Sequence, residues 1–312
     1  MTPLCAPAGA YSIRSGRLTA WIIPRGARLM QLFLDDKPLC LGFADPADYA
    51  SDRASIGAVC GRYGNRIAGG RLERDGAVFE LDQNEGEQCL HGGTNGFGHQ
   101  TWAVVSHDVD SIRLRLDSPD GDQGWPGRCV AEVSYRLTGA GLEWEATADV
   151  DRPCPLNLIQ HAYWNLGVPA DAMTLQSPAS EYWVSDANNL PLLREAVSGD
   201  LDFRQGRVLG RHDHDVALMV PGTGVRHMAT LSGPLARLAI HSDQPSVQLY
   251  SAGHLRASER ALGAPHHVGN AVCLETQQLP NGPALGEDVW IEPGQTYRHQ
   301  LHIHITPQDS AA

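Results

Sequence analysis

Apolar and polar residues alternate along much of this chain. Leu142, Trp144, Ala146, Ala148 and Val150 interleave with Glu143, Glu145, Thr147 and Asp149. Just upstream, Cys129, Ala131, Val133, Tyr135 and Leu137 interleave with Val130, Glu132, Ser134 and Arg136. A period of two places one set of side chains on one face of a strand, and Thr138-Gly139-Ala140-Gly141 between the two runs predicts a hairpin. Ile112, Leu114 and Leu116 repeat the pattern, as do Leu301, Ile303 and Ile305 near the end. Asp35-Asp36-Lys37-Pro38 predicts a turn between two further strands. No stretch keeps a long 3.6-residue apolar period, so helix is expected only as short turns near Asp45–Tyr49 and Pro191–Ala196. The 33 glycines and 20 prolines are spread out and form no linker, and no repeat appears. These patterns predict an all-β protein, a single domain over residues 1–312, built as a large antiparallel β-sandwich.

Composition narrows the function. A formal net charge of −12 repels phosphate, which argues against nucleic acid or an anionic membrane as partner. Arg62, Arg66, Arg71 and Arg74 form no basic patch, being interleaved with Gly, Asn, Leu and Glu. Seven cysteines, an odd number without a CxxC pair, fit reduced and buried thiols in a cytoplasmic protein. The first residues lack the basic-then-apolar order of a secretion signal, and no apolar run reaches membrane-spanning length. No GxSxG elbow, P-loop or GxGxxG fingerprint occurs, which removes support for serine hydrolase, nucleotidase and dinucleotide readings.

Three positions carry candidate proton chemistry. His91 precedes two glycines, His161 follows Leu156-Asn157-Leu158-Ile159, and Glu275 ends the apolar run Val272-Cys273-Leu274. Imidazoles titrate near neutrality and a desolvated carboxylate titrates high, so the set suits moving protons on a neutral substrate. Each residue alone also fits a hydrogen-bonded turn, a satisfied core histidine or a strand-end glutamate facing water. Gly61–Ile67 brings Arg62, Asn65 and Arg66, donors that suit sugar hydroxyls or simply a solvated loop. His212 and His214, His266 and His267, and His302 and His304 lack an evident third ligand, so no metal is expected.

Taken together and in order, the motifs resemble the aldose 1-epimerase (galactose mutarotase) family. The resemblance rests on Gly42-Phe43 with Asp48-Tyr49, Gly61–Ile67, and Asn84 with Leu90–Gly93, Gly96-Phe97 and Trp102. It continues through Ser118–Gly121, Gly124–Gly127, Asn157–Leu166, Asp202-Phe203-Arg204, Asp213 and Leu274–Gln277. It implies the family's galactose mutarotase-like supersandwich and interconversion of the α and β anomers of a free aldose. No cofactor is implied; the partner is a monosaccharide, and the protein a monomer or homodimer. By resemblance Glu275 is the base, His161 the acid, and His91 a donor near the ring oxygen. Asn65, Arg66, Asp213 and Gln248 would grip the other hydroxyls. The acid would start protonated and the base ionised, giving a bell-shaped pH profile with its acid limb from Glu275 and its alkaline limb from His161. Gln160, Trp164 and Gly64 depart from the family pattern, as does His214-Asp215-Val216, and these changes are expected beside the groove. A hexose 6-phosphate epimerase and a non-catalytic sugar-binding module are the alternatives.

Overall fold

The computed structural model describes residues 4–211 and 213–308. The expected hairpin forms from Cys129–Thr138 and Gly141–Val150 and lies within a nine-stranded antiparallel sheet. Thr296–Pro307, Ala236–Ser242 and Arg226–Ser232 extend that sheet on one side; Ser111–Ser118 and Ala103–His107 extend it on the other. Leu142, Trp144, Ala146 and Ala148 are buried, while Glu143 and Glu145 stay half-exposed on the other face. One dry face and one wet face are what make these strands alternate in sequence.

Opposite it lies a six-stranded sheet of β1 (Tyr163–Trp164), β2 (Glu181–Ser185), β3 (Pro191–Ala196), β4 (Asp215–Met219), β5 (Ser246–Tyr250) and β6 (Val272–Gln277), in spatial order β1-β6-β5-β4-β2-β3. β6 is buried at all six positions. Val272 and Leu274 enter the main apolar core, which runs without interruption from Ile13 to Ile305. Thr276 faces the same way and bonds His299 of the nine-stranded sheet at 2.8 Å. His299 also donates to the Leu158 carbonyl at 2.8 Å, and burial pushes its pKa down to about 4. The opposite face of β6 presents Cys273, Glu275 and Gln277.

Two helical turns were expected, and one forms. Pro46–Ser51 is a 3-10 turn capped by Asp45, whose carboxylate accepts from the Ala47 amide at 2.8 Å. Pro191–Ala196 is instead strand β3, paired from Glu181↔Ala196 to Val184↔Leu193. Its Leu, Arg, Glu and Ala residues favour helix locally, but pairing to the edge of the sheet overrides that preference. Every helix among the described residues is a 3-10 turn. None is long and apolar enough to cross a membrane. All seven cysteines are free thiols, six buried and Cys5 exposed.

Antiparallel neighbours such as β5 and β6 need only a two-residue turn between them. Here residues 251–271 make a long excursion, tied back where Ala261–Leu262 pairs with Gly42–Phe43.

Candidate active site

The sheet's geometry gathers the chemistry. Gln248 of β5 pairs across from Glu275 of β6, and Tyr250 pairs with both Cys273 and Asp215 of β4. Paired residues share a face, so Glu275, Gln248, Tyr250 and Asp215 form the floor of a cavity of about 610 Å³. Asn65, Arg66, Glu85 and His91 build one wall, and His161 and Tyr163 another. Segment 251–271 supplies much of the far end, including His254, Arg256 and Arg260.

His161 is held from below. Its amide donates to the Ala58 carbonyl and its carbonyl accepts from the Gly57 amide, both at 2.9 Å. Its ring stacks on Tyr163 with centroids 5.2 Å apart and meets His91 edge-on at 5.2 Å. Nε2 lies 3.5 Å from Glu275 Oε1. Glu275 Oε2 is buried without a hydrogen-bond partner. A lone acceptor in that position is costly unless something donates to it.

His91 is locked by a reciprocal pair of bonds. Its amide donates to the Asn65 carbonyl, and the Asn65 amide donates to His91 Nδ1, each at 3.1 Å. Nδ1 as acceptor places the proton of the neutral ring on Nε2. Both residues hold positive φ, 67° for Asn65 and 54° for His91, a conformation that non-glycine residues pay for in strain and that clusters at functional sites. Gly92 serves packing rather than ligand approach: a Cβ there would meet the Gly61 carbonyl oxygen at 1.8 Å.

Burial sets the charges. It pushes Glu275 up to about 8, helped by the nearby Asp215 charge. It pushes His161 down to about 4, and His91 well below the usual histidine range. The expected starting state, a charged imidazolium beside an ionised carboxylate, is therefore inverted in the empty site: Glu275 holds the proton and His161 is neutral at pH 7.

Around this pair, Arg66 makes a forked contact to Glu85 at 2.6 and 2.9 Å and lies 3.9 Å from Asp215. Gln248 donates to Asp215 at 2.6 Å and accepts from Gln277 at 3.0 Å. Asp215 thus occupies the position expected of Asp213. Asp213 is exposed, outside the cavity lining, with its carboxylate against Gly253. Arg62 also turns away: it is buried and donates to the carbonyls of Ser118, Pro119, Pro126 and Gly127. Of the departures expected beside the groove, Gln160 folds onto Gly57, Trp164 sits in the core and Gly64 packs on Ile159. None of the three lines the cavity.

Sequence reasoning passed over Glu85, Asp52 and Tyr250, and named Asp215 only within a departure from the family pattern beside the groove. Asp52 has a local signal only in hindsight. It pairs with fully buried Arg28 and accepts from the Ala54 and Ile56 amides, pinning the loop beside His161. The three donors close enough to share one cation among the described residues are His161, Cys273 and Glu275. His212, raised as a ligand candidate, lies outside the described residues.

Comparison with known proteins agrees with this architecture. Residues 9–304 match the sequence model of the family described as aldose 1-epimerase. The aldose 1-epimerase of Escherichia coli K12 is 31% identical over 333 aligned residues, covering 95% of this chain and 96% of that protein. Human galactose mutarotase is 31% identical, covering 93% and 91%. Among solved structures, an aldose epimerase homologue from C. elegans superposes with a TM-score of 0.91 at 27% identity, covering 96% and 99%. The galactose 1-epimerase of Lactobacillus acidophilus gives 0.85 at 25% identity, covering 94% and 92%. With the family matched over nearly its whole length, the chain belongs to the aldose 1-epimerase family of carbohydrate isomerases.

Proposed function

We propose that this chain interconverts the α and β anomers of a free aldose by acid–base opening and reclosure of the sugar ring. The observation that carries the reading is the 3.5 Å contact of His161 Nε2 with Glu275 Oε1, beside a buried Glu275 oxygen without a partner, in the cavity that also holds His91.

Between about pH 4 and 8 the pair holds one proton, which rests on Glu275. A sugar whose O1 hydroxyl donates to Glu275 and whose ring oxygen accepts from His161 favours the carboxylate–imidazolium arrangement. Glu275 then takes the O1 proton while His161 protonates O5 as the C1–O5 bond breaks. The products are a neutral carboxylic acid, a neutral imidazole and an open aldehyde. That charge state is the one burial favours in the empty site, so the cavity's electrostatics favour the ring-opened form over an ion pair. Rotation about C1–C2 presents the other carbonyl face. His161 recovers the O5 proton, Glu275 returns its proton to the new O1, and the pair is restored. His91 offers Nε2–H to the reacting oxygens, and Asn65, Arg66, Gln248 and Asp215, in place of Asp213, hold the remaining hydroxyls.

Polarimetry on freshly dissolved α-aldoses tests this. The expected result is faster approach to anomeric equilibrium with protein than in buffer. No acceleration for any aldose across pentoses, hexoses and deoxyhexoses removes the reading.

A further inference from the structure

Cys273 has no part in that chemistry, yet it lies buried just beneath the cavity floor, outside its lining. It lies on the same face of β6 as Glu275, paired with Tyr163 on one side and Tyr250 on the other, both cavity-lining. Its Sγ is 3.7 Å from His161 Nδ1. One donor atom from each of His161, Cys273 and Glu275 lies within 4.8 Å of the other two, all three residues are buried, and no other trio among the described residues qualifies. We propose that these three side chains form a site for a thiophilic divalent cation, zinc being the representative, and that its occupancy switches the catalytic pair off.

The spacing fits. Zinc–nitrogen and zinc–sulfur bonds of about 2.0 and 2.3 Å at a tetrahedral angle put the donors roughly 3.5 Å apart, close to the 3.7 Å between His161 Nδ1 and Cys273 Sγ. Nε2 is the nitrogen that faces Glu275 at 3.5 Å, so an ion bound to one ring nitrogen draws the third donor in from within 4.8 Å. Three protein donors leave the fourth position for water or a sugar hydroxyl. The unpartnered Glu275 oxygen supplies a free acceptor. The mixture of soft sulfur, imidazole and carboxylate selects zinc-like ions over magnesium or calcium. Charge also balances. Binding releases the Cys273 and Glu275 protons to solvent, and a dication with one thiolate and one carboxylate is neutral, which a buried site requires. Glu275 and His161, once ligated, can no longer exchange a proton with a sugar.

The switch rests on the proposed epimerase activity; the binding site does not, so two readouts separate them. In a Cys5→Ser background, cobalt(II) titration should give a thiolate-to-cobalt charge-transfer absorption saturating at one ion per chain, absent from Cys273→Ser and Cys273→Ala. In polarimetry, zinc should slow catalysed mutarotation at least tenfold. Each Cys273 variant, read against its own metal-free rate, should need at least tenfold more zinc for the same inhibition. No charge-transfer band, or a band unchanged in both variants, overturns the site. Full activity with one zinc bound, or equal zinc sensitivity in the variants, overturns the switch. If no aldose is turned over at all, the function fails while the cobalt spectrum still decides the site.

Discussion

Two groups of histidines look alike in sequence and in ring spacing and differ in what surrounds them. His227, His241 and His304 meet edge-on across three neighbouring strands on the outer face of the nine-stranded sheet, with centroids 5.5 and 5.3 Å apart. His91 and His161 meet at 5.2 Å inside the cavity. The outer row is half-exposed or exposed and its rings face other imidazoles, while in the inner pair His161 is buried against Glu275 and His91 is half-buried in the same cavity. Imidazole density is therefore uninformative. Burial together with a carboxylate that shares a proton is what converts histidine into a catalytic candidate.

The contrast can be broken most forcefully at the carboxylate. Glu275→Gln should lower the catalysed rate by about 10²–10⁴-fold, the loss of a positioned acid–base group, with sugar binding nearly unchanged by calorimetry. Asp215→Asn should raise KM roughly tenfold or more through loss of a charged hydrogen-bonding partner, and Asp213→Asn should leave it unchanged. Equal effects in steady-state polarimetry would restore Asp213 to the site. The pH profile should be bell-shaped with limbs near 4 and 8, belonging to the pair. Relative to the expectation from sequence, His161 now governs the acid limb and Glu275 the alkaline one. Asp215→Asn should shift the alkaline limb downward, because the Asp215 charge helps hold Glu275 high.

Stability carries the opposite sign. Glu275 titrates above its ordinary value near 4.5, so folding takes up a proton there. Above the unfolded value the unfolded state ionises first, and the native state loses stability as pH rises towards 8. Glu275→Gln should thus raise the unfolding free energy at pH 8 by on the order of a few kcal/mol, and Tm with it, with little gain at pH 4. Thermal melts at the two pH values check it. The smallest effect belongs to the outer row: His241→Ala or His304→Ala should leave turnover unchanged and stability within about 0.5 kcal/mol.

What the sequence disclosed follows the same line between wet and dry. The nine-stranded sheet was legible because one face meets water, as at Glu143 and Glu145 beside Leu142 and Trp144. β6 shows no such alternation, because core covers one face and the cavity walls the other, so it read only as an apolar run ending at Glu275. β3 misled because its helix-favouring residues are held by an edge partner far away in the chain. His91, His161, Glu275, Asn65 and Arg66, singled out by the ordered motifs, and Gln248, added by the resemblance, line one cavity. Asp213 and Asp215 share a strand parity, so alternation cannot separate them; only the point where β4 begins does so. Glu85 and Asp52 depend on loops meeting in space, which no local pattern records.

The excursion of residues 251–271 leaves and rejoins adjacent strands, so its ends are already pinned side by side by β5 and β6. It lines much of the cavity's far end while contributing neither member of the proton-sharing pair. A graft exchanging this segment between relatives should therefore transplant sugar preference as a cassette, leaving the catalytic floor to fold as it did before.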